Sequence, residues 1–442
     1  MMNNNEILAD GYQPCVFKVK KLTIYMSLAL GAVQVLASDL SSLPSLKIED
    51  GSKKVLFSNI WGSWNDITGS TGLCSQQSDV TGIANNSQSD GNNAFFVKGN
   101  VELYLKGSSE PDGSAGSVIG ISISQNKRHT TINAELNNVS IYSESQDTEL
   151  SRAKGIWIGQ GYVGDDIPVD VFLKVNGNTN ITAKSKSVAI GINVGDELGP
   201  NNVDGGGSIV LNGDSNRIHV EQTGNVASPG YALTSCGILA SYNTSVLINS
   251  KKTVIETITN HNGYNFSQGG GVDRNSNFKS EGNLVINSKV TNQVLNIVHG
   301  LSADYYSSYS HPSEAGSKVT LDGPVAISLN TNKNTTAYGI ASYGNSSIVV
   351  NDDLSISLDV SQAANSGVSK FVGVYSGITV KDSWIDKKGM NGGSVCINKS
   401  LGIYLPTDVK EALQKYPEQS FAQKFGLCNR QKFSGRKIKE GF

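Results

Sequence analysis

The 442-residue chain is poor in the residues that mark most catalytic and binding classes: 17% are charged and 7% aromatic, with 5 His, 5 Cys, 10 Pro and 4 Met. Its 36 Lys and Arg nearly balance 38 Asp and Glu, and the formal net charge of -2 gives no field that would draw in nucleic acid or an anionic membrane surface. The cysteines form no CxxC and no His/Cys cluster, which removes the common zinc frameworks. His129, His219, His261, His299 and His311 are scattered, without HExxH or a GxSxG elbow, and surface positions are expected for them. No Lys-Ser/Thr follows the glycines of "GDELG" at Gly195, no GxGxxG opens a helix, and the Asp-bearing turns do not match the nonapeptide calcium repeat. Neither a cofactor nor a metal is therefore expected.

What is abundant is glycine, 48 residues, together with Asn, Ser and Thr between short Val/Ile/Leu runs. That mixture favours strands and turns over long helices. Near the start, Lys18, Lys20 and Lys21 precede an apolar run from Leu22 to Val35, and Val35 and Ala37 suit a signal peptidase cleaving before Ser38. Export is expected, since the run is shorter than the roughly 20 residues of a spanning helix. Residues 1–17 are an unusual preface to such a signal, and translation starting at Val19 would explain them. Cleavage leaves 33 basic against 36 acidic groups and four cysteines, Cys74, Cys236, Cys396 and Cys428.

Two patterns recur in fixed order. The first is a Gly before an aliphatic residue, at Gly82, Gly120, Gly155, Gly191, Gly237, Gly271, Gly300, Gly339 and Gly373, at intervals of 29 to 46 residues. The second is apolar-any-apolar followed by Asn or Asp, ending at Asn133, Asn176, Asn212, Asn249, Asn287, Asp322, Asn351 and Asn398. A further alternating run follows, as in "VSI" from Val139 or "LSISL" from Leu354. Alternation means strands with one buried face, so each unit supplies about three short strands. A unit that cannot bury its apolar face alone, repeated nine times, makes a solenoid.

The expected fold is all-β: a right-handed parallel β-helix of about nine irregular coils over residues 76–405. It follows an N-terminal extension and signal peptide (1–37) and a cap (38–75), in which Trp61 and Trp64 close the open core. A short helix, "TDVKEALQKY" with Thr407 as N-cap, and a basic irregular tail occupy 406–442. Stacking at about 4.8 Å would align Ile132, Val175, Leu211, Ile248, Ile286, Leu321, Val350 and Ile397 as one internal stripe. The Asn residues are expected to end strands because they tolerate the left-handed conformation of a corner. Glycine is expected where the coil bends or where a side chain would strike the next turn. The irregular spacing falls into outward loops such as 159–168 and 305–316. Cys74, Cys236 and Cys396 fall about four coils apart, roughly 19 Å at this rise, and free thiols are expected.

An export signal followed by Asn/Gly/Ser-rich coils with "GI" and "VxVN" strands resembles the passenger region of bacterial autotransporters, the pertactin-like surface proteins, over about residues 55–405. The resemblance implies display on the cell surface or outer membrane, or extracellular release, adhesion to a host-cell, glycan or bacterial surface ligand, and secretion through a C-terminal translocator barrel. The tail after Leu405 does not read as barrel strands. A truncated or frame-shifted gene is the expectation, which would leave the chain in the periplasm. The "SVAIG" string at Ser187–Gly191 also occurs in trimeric autotransporter heads, at a much shorter interval.

The alternative on the same scaffold is a polysaccharide lyase or glycoside hydrolase. Paired carboxylates act as acid and base about 5 to 9.5 Å apart, and Asp165, Asp166 and Asp170 of "GDDIPVD" are the candidates, with Asp352 and Asp353, and Asp273 beside Arg274. Adjacent acids in Gly-rich loops are more often solvated turns, and a non-enzymatic rod is the preferred reading.

Overall fold

The computed structural model describes residues 46–48, 56–57, 65–66, 80–87, 91–96, 100–107, 117–125, 130–145, 152–160, 169–195, 205–224, 233–260, 265–291, 296–303, 316–331, 336–359, 370–377 and 393–404. The signal segment, Trp61, Trp64, Cys74, Cys428 and the expected C-terminal helix lie outside them.

The described strands form three parallel sheets of ten strands, wound as a right-handed parallel β-helix. Each coil passes through sheet 1, which carries the glycine element, then sheet 2, then sheet 3. The fourth coil, for example, is Val188–Val194, Gly205–Leu211 and Ser215–Gln222. Nine such coils follow one another from Val80–Ser87 to Leu401–Tyr404, matching the nine glycine elements. A further rung precedes them, made by Leu46–Ile48, Leu56–Phe57 and Asn65–Asp66, which pair with the sheets of the first coil. The segment expected as a cap thus contributes strands of its own. Among the described residues no helix is long and apolar enough to cross a membrane.

Alternation produces the expected burial in sheet 3, where Thr179–Ser185 switches between buried and accessible residue by residue. Sheet 1 departs from it. In Val188–Val194 all seven residues are buried, because both faces of this sheet are covered.

The glycines of sheet 1 stack in register: Gly120, Gly155, Gly191, Gly237, Gly269, Gly300 and Gly339 each face the carbonyl of the next coil's glycine, and Gly373 ends the column. The column member in the sixth coil is Gly269, not Gly271, which faces outward beside Gln268. Across the core runs a second column of β-branched residues on sheet 3: Ile141, Ile181, Ile218, Ile255, Ile286, Ile327, Ile356 and Ile403. Each packs its side chain onto the glycine of its own coil. After each column glycine but Gly269, which Gly270 follows, the next residue also points inward, as Ile192 does after Gly191, so alternation breaks there and the strand bends. Both reasons expected for glycine therefore apply at one position.

The internal stripe needs two corrections. The aligned positions of sheet 2 are Leu136, Val175, Leu211, Ile248, Ser280, Leu321, Val350 and Ile397. Ile132 lies four residues earlier, opposite Val171. Ile286 belongs to the isoleucine column of sheet 3, between Ile255 and Ile327. Motif similarity misled here because "VIN" and "TIN" occur in strands of either sheet, and only register separates them.

The Asn correction follows from the same register. Asn287 is an exposed residue of sheet 3 opposite Glu256 and Ser328, and Glu281 takes the corner slot of the sixth coil. The remaining Asn residues do not adopt left-handed backbone; among the described non-glycine residues, positive φ occurs at Tyr242, Asn243, Arg274 and Asn275. Instead the stacked amides bond one another along the rod. Asn249 Nδ2 donates to Asn212 Oδ1 (2.8 Å), Asn351 Nδ2 to Asp322 Oδ1 (2.6 Å) and Asn398 Nδ2 to Asn351 Oδ1 (2.6 Å). Asn212 reaches Asn176 at 3.5 Å, and Asn176 reaches Glu135 at 2.5 Å. Identical amides about 4.8 Å apart can each donate to one neighbour and accept from the other, which is why Asn suits this column.

Candidate functional site

The corners differ in a way that selects one face. Every coil passes from sheet 2 to sheet 3 within a few residues, such as 137–138, 176–178 and 351–353. Sheet 1 is instead flanked on both sides by segments of variable length. Ten residues separate Val194 from Gly205, fourteen separate Ala303 from Lys318 and sixteen separate Gly377 from Ser394, while ten lead into sheet 1 before Leu233 and before Lys370. Where such a connection is short, it needs left-handed backbone: Tyr242 and Asn243 (φ 61° and 57°), and Arg274 and Asn275 (φ 51° and 61°). Asn275 Nδ2 donates to Asn243 Oδ1 at 2.6 Å, a second amide stack that supports these turns.

The outward positions of sheet 1 make a second cluster, separate from the main core. It contains Val188, Ile190, Cys236, Leu239, Tyr338, Ala341, Tyr343 and Val372, with Ile297 and Tyr375 packed against it. Residues just before the column glycines, Ile190, Cys236, Gln268, His299 and Tyr338, lie side by side along it. The imidazole of His299 stacks on Tyr338 (centroids 5.0 Å apart, planes at 12°) and bonds Tyr343 Oη through Nε2 at 2.8 Å. Tyr375 meets both tyrosine rings at 5.4 and 5.2 Å. Ser302 Oγ donates to Gln268 Oε1 (2.7 Å), and Gln268 Nε2 to Cys236 Sγ (3.3 Å). At the other end Lys154 Nζ sits 4.7 Å from the Trp157 ring centroid.

At the aromatic end of the patch, burial sets the charge. His299 is fully enclosed, and burial pushes its pKa down to about 3, so the imidazole carries no charge at neutral pH. Burial, and secondarily Tyr375, raises the Tyr338 phenol to about 12. Neither group is poised for proton transfer near pH 7. The surface position expected for His299 is overturned, because the residue before the glycine faces the covered side of sheet 1. The sequence held a partial signal: aligning the nine glycines places Cys, His and Tyr before the glycine in "CG", "HG" and "YG", while "QG" joins them only once Gly269 replaces Gly271. His219 does lie at the surface, where Glu256 accepts from Arg217 (3.0 Å) and meets His219 Nδ1 at 3.3 Å.

The expected catalytic acids fall only in part among the described residues. Asp165 and Asp166 lie outside the described residues, and Asp170 is in the strand Val169–Val175, opposite Thr131 and Gly206. Asp352 takes a 2.7 Å ion pair from Lys399, which with the Asp353 amide holds its carboxyl below the ordinary range. Asp353 Oδ1 accepts from Ser400 at 2.7 Å. Asp273 is buried beside Arg274, whose guanidinium lies 4.0 Å from the Tyr242 ring centroid. Asp273, Asp352 and Asp353 lie at or beside corners. Among the described residues no group of three or more His, Cys, Asp and Glu could hold a metal ion. Cys236 and Cys396 are buried thiols outside any disulfide, in keeping with their coil separation. Comparison with family models, curated proteins and solved structures returns no match for this chain.

Proposed function

We propose that this β-helix is an exported, surface-associated interaction rod that binds a cell-surface ligand through the segments flanking sheet 1. One observation carries the reading: length variation is confined to the two sides of sheet 1, while the corners between sheets 2 and 3 stay at a few residues. A rigid stack tolerates insertions at chosen corners without loss of register, and binding residues concentrate on such connections. The signal segment and the resemblance to autotransporter passengers support export and display, and adhesion is the use that resemblance implies.

The test is binding of the purified full chain to an array of glycans and host-surface proteins, beside a variant lacking residues 305–316. Ligands lost on deletion, with the strand signature in circular dichroism unchanged, support the rod. Binding to nothing on the array, or hits that survive removal of each flanking segment in turn, defeats it.

A further inference from the structure

A column of hydroxyls stands where the chain enters sheet 2. Thr244 opens the sheet 2 strand of the fifth coil, and Ser276, Ser317 and Ser346 stand one residue before those of the sixth, seventh and eighth, stacked because the strands they lead into are in register. All four are buried. Their bonds run one way along the rod: Thr244 N–H donates to Ser276 Oγ (3.2 Å), Ser276 N–H to Ser317 Oγ (3.1 Å) and Ser317 N–H to Ser346 Oγ (3.0 Å). In the other direction, the Ser276 and Ser317 carbonyls accept from Lys318 N–H (2.9 Å) and Ser347 N–H (3.0 Å). A buried N–H at the start of a strand needs an acceptor, and here the next coil's hydroxyl supplies it, as a capping side chain does at the start of a helix.

The connections that lead into this column vary far more than its bonds do. Two residues separate Ser241 from Thr244, three separate Asp273 from Asn277, fourteen separate Ala303 from Lys318 and three separate Tyr343 from Ser347. The column distances nevertheless run only from 3.0 to 3.2 Å. In the eighth coil a turn bond from Ser346 N–H to Tyr343 O (3.1 Å) also fixes the entry. Such a turn spans four residues and cannot bridge fourteen, so in the seventh coil the entry is fixed by the stack, with Ser317 bonded to the coils on both sides. We propose that Ser276, Ser317 and Ser346 form a hydroxyl clasp that starts sheet 2 in register whatever length of chain precedes it, so that this corner accepts inserted segments without disturbing the stack. The clasp is a property of the stack, and it stands whether or not a ligand meets the segments it anchors.

Lengthening the short turn of the eighth coil in the full chain tests this by hydrogen-deuterium exchange. A Gly/Ser hexapeptide inserted between Gly344 and Asn345 removes the turn bond and keeps the clasp, and exchange in 347–350 should stay within about twofold of wild type. Ser346→Ala alone keeps the turn bond and should speed exchange there by about tenfold or less. Insertion and Ser346→Ala together should speed it by about tenfold or more beyond the product of the two single effects. Ser347→Ala, the same change one residue on and facing outward, should add nothing to the insertion. Loss of protection on insertion alone, a combined effect equal to the product of the single ones, or equal losses with Ser346→Ala and Ser347→Ala overturns the proposal. If the lengthened Ser346→Ala chain does not fold, the lengthened Ser347→Ala chain must, and failure of both refutes the clasp as well.

Discussion

Ile356 packs against Gly339 so closely that a Cβ on the glycine would stand 2.7 Å from Ile356 Cγ2 and 2.5 Å from the Gly373 carbonyl oxygen. One neighbour is a side chain locked in the core and the other is backbone of the next coil, so neither can retreat. Gly339→Ala should therefore lower stability by about 1–3 kcal/mol, the cost of overpacking a closed core. Urea unfolding followed by circular dichroism measures it. Because the carbonyl clash remains, adding Ile356→Val should not restore the lost stability.

Along the amide ladder, Asn351→Ala removes the donor to Asp322 and the acceptor for Asn398. A loss of about 1–2 kcal/mol is expected. Asn287→Ala, in the same motif but exposed on sheet 3, should cost under about 0.5 kcal/mol. Equal losses would place Asn287 in the ladder after all.

Asp322 titrates in the same ladder. The amide of Asn351, then Lys279, holds its carboxyl below the ordinary value, so this contribution is present above that value and fades as pH falls through the depressed one. Nuclear magnetic resonance titration should find the Asp322 pKa higher in Asn351→Ala than in wild type.

His299 gives the opposite end of the acid range a separate signature. Its folded pKa of about 3 lies below the ordinary 6.5, so the unfolded chain binds the extra proton. The stability it contributes is complete above pH 6.5 and declines as pH falls toward 3, by up to about 1.4 kcal/mol per pH unit. His299→Gln keeps a polar partner for Tyr343 without a titrating ring. Between pH 6.5 and 4.5 its stability should fall less steeply than wild type; parallel slopes would show that His299 is not enclosed.

Cys236 and Cys396 should resist thiol reagents in the folded rod and react fully in denaturant, in a variant with Cys15, Cys74 and Cys428 changed to Ser. Mass spectrometry of labelled peptides reads this directly. Rapid labelling of Cys236 would mean that the outer face of sheet 1 is open.

Period-two alternation, together with glycines recurring about one coil apart, determined the solenoid, its nine coils and the place of Gly191 and Gly339 in a column, because a strand's buried face is written in its own alternation. The sequence also determined that Cys236 and Cys396 fall too many coils apart to pair. Register was decided only in three dimensions: "LVIN" at Ile286 and "IVLN" at Leu211 look alike, yet they lie in different sheets, since local pattern fixes a strand's face but not its neighbours. The covered outer face of sheet 1 was hidden for a related reason. His299, Tyr343 and Gln268 are separated by tens of residues and meet through stacking, so no short window of sequence contains their contact.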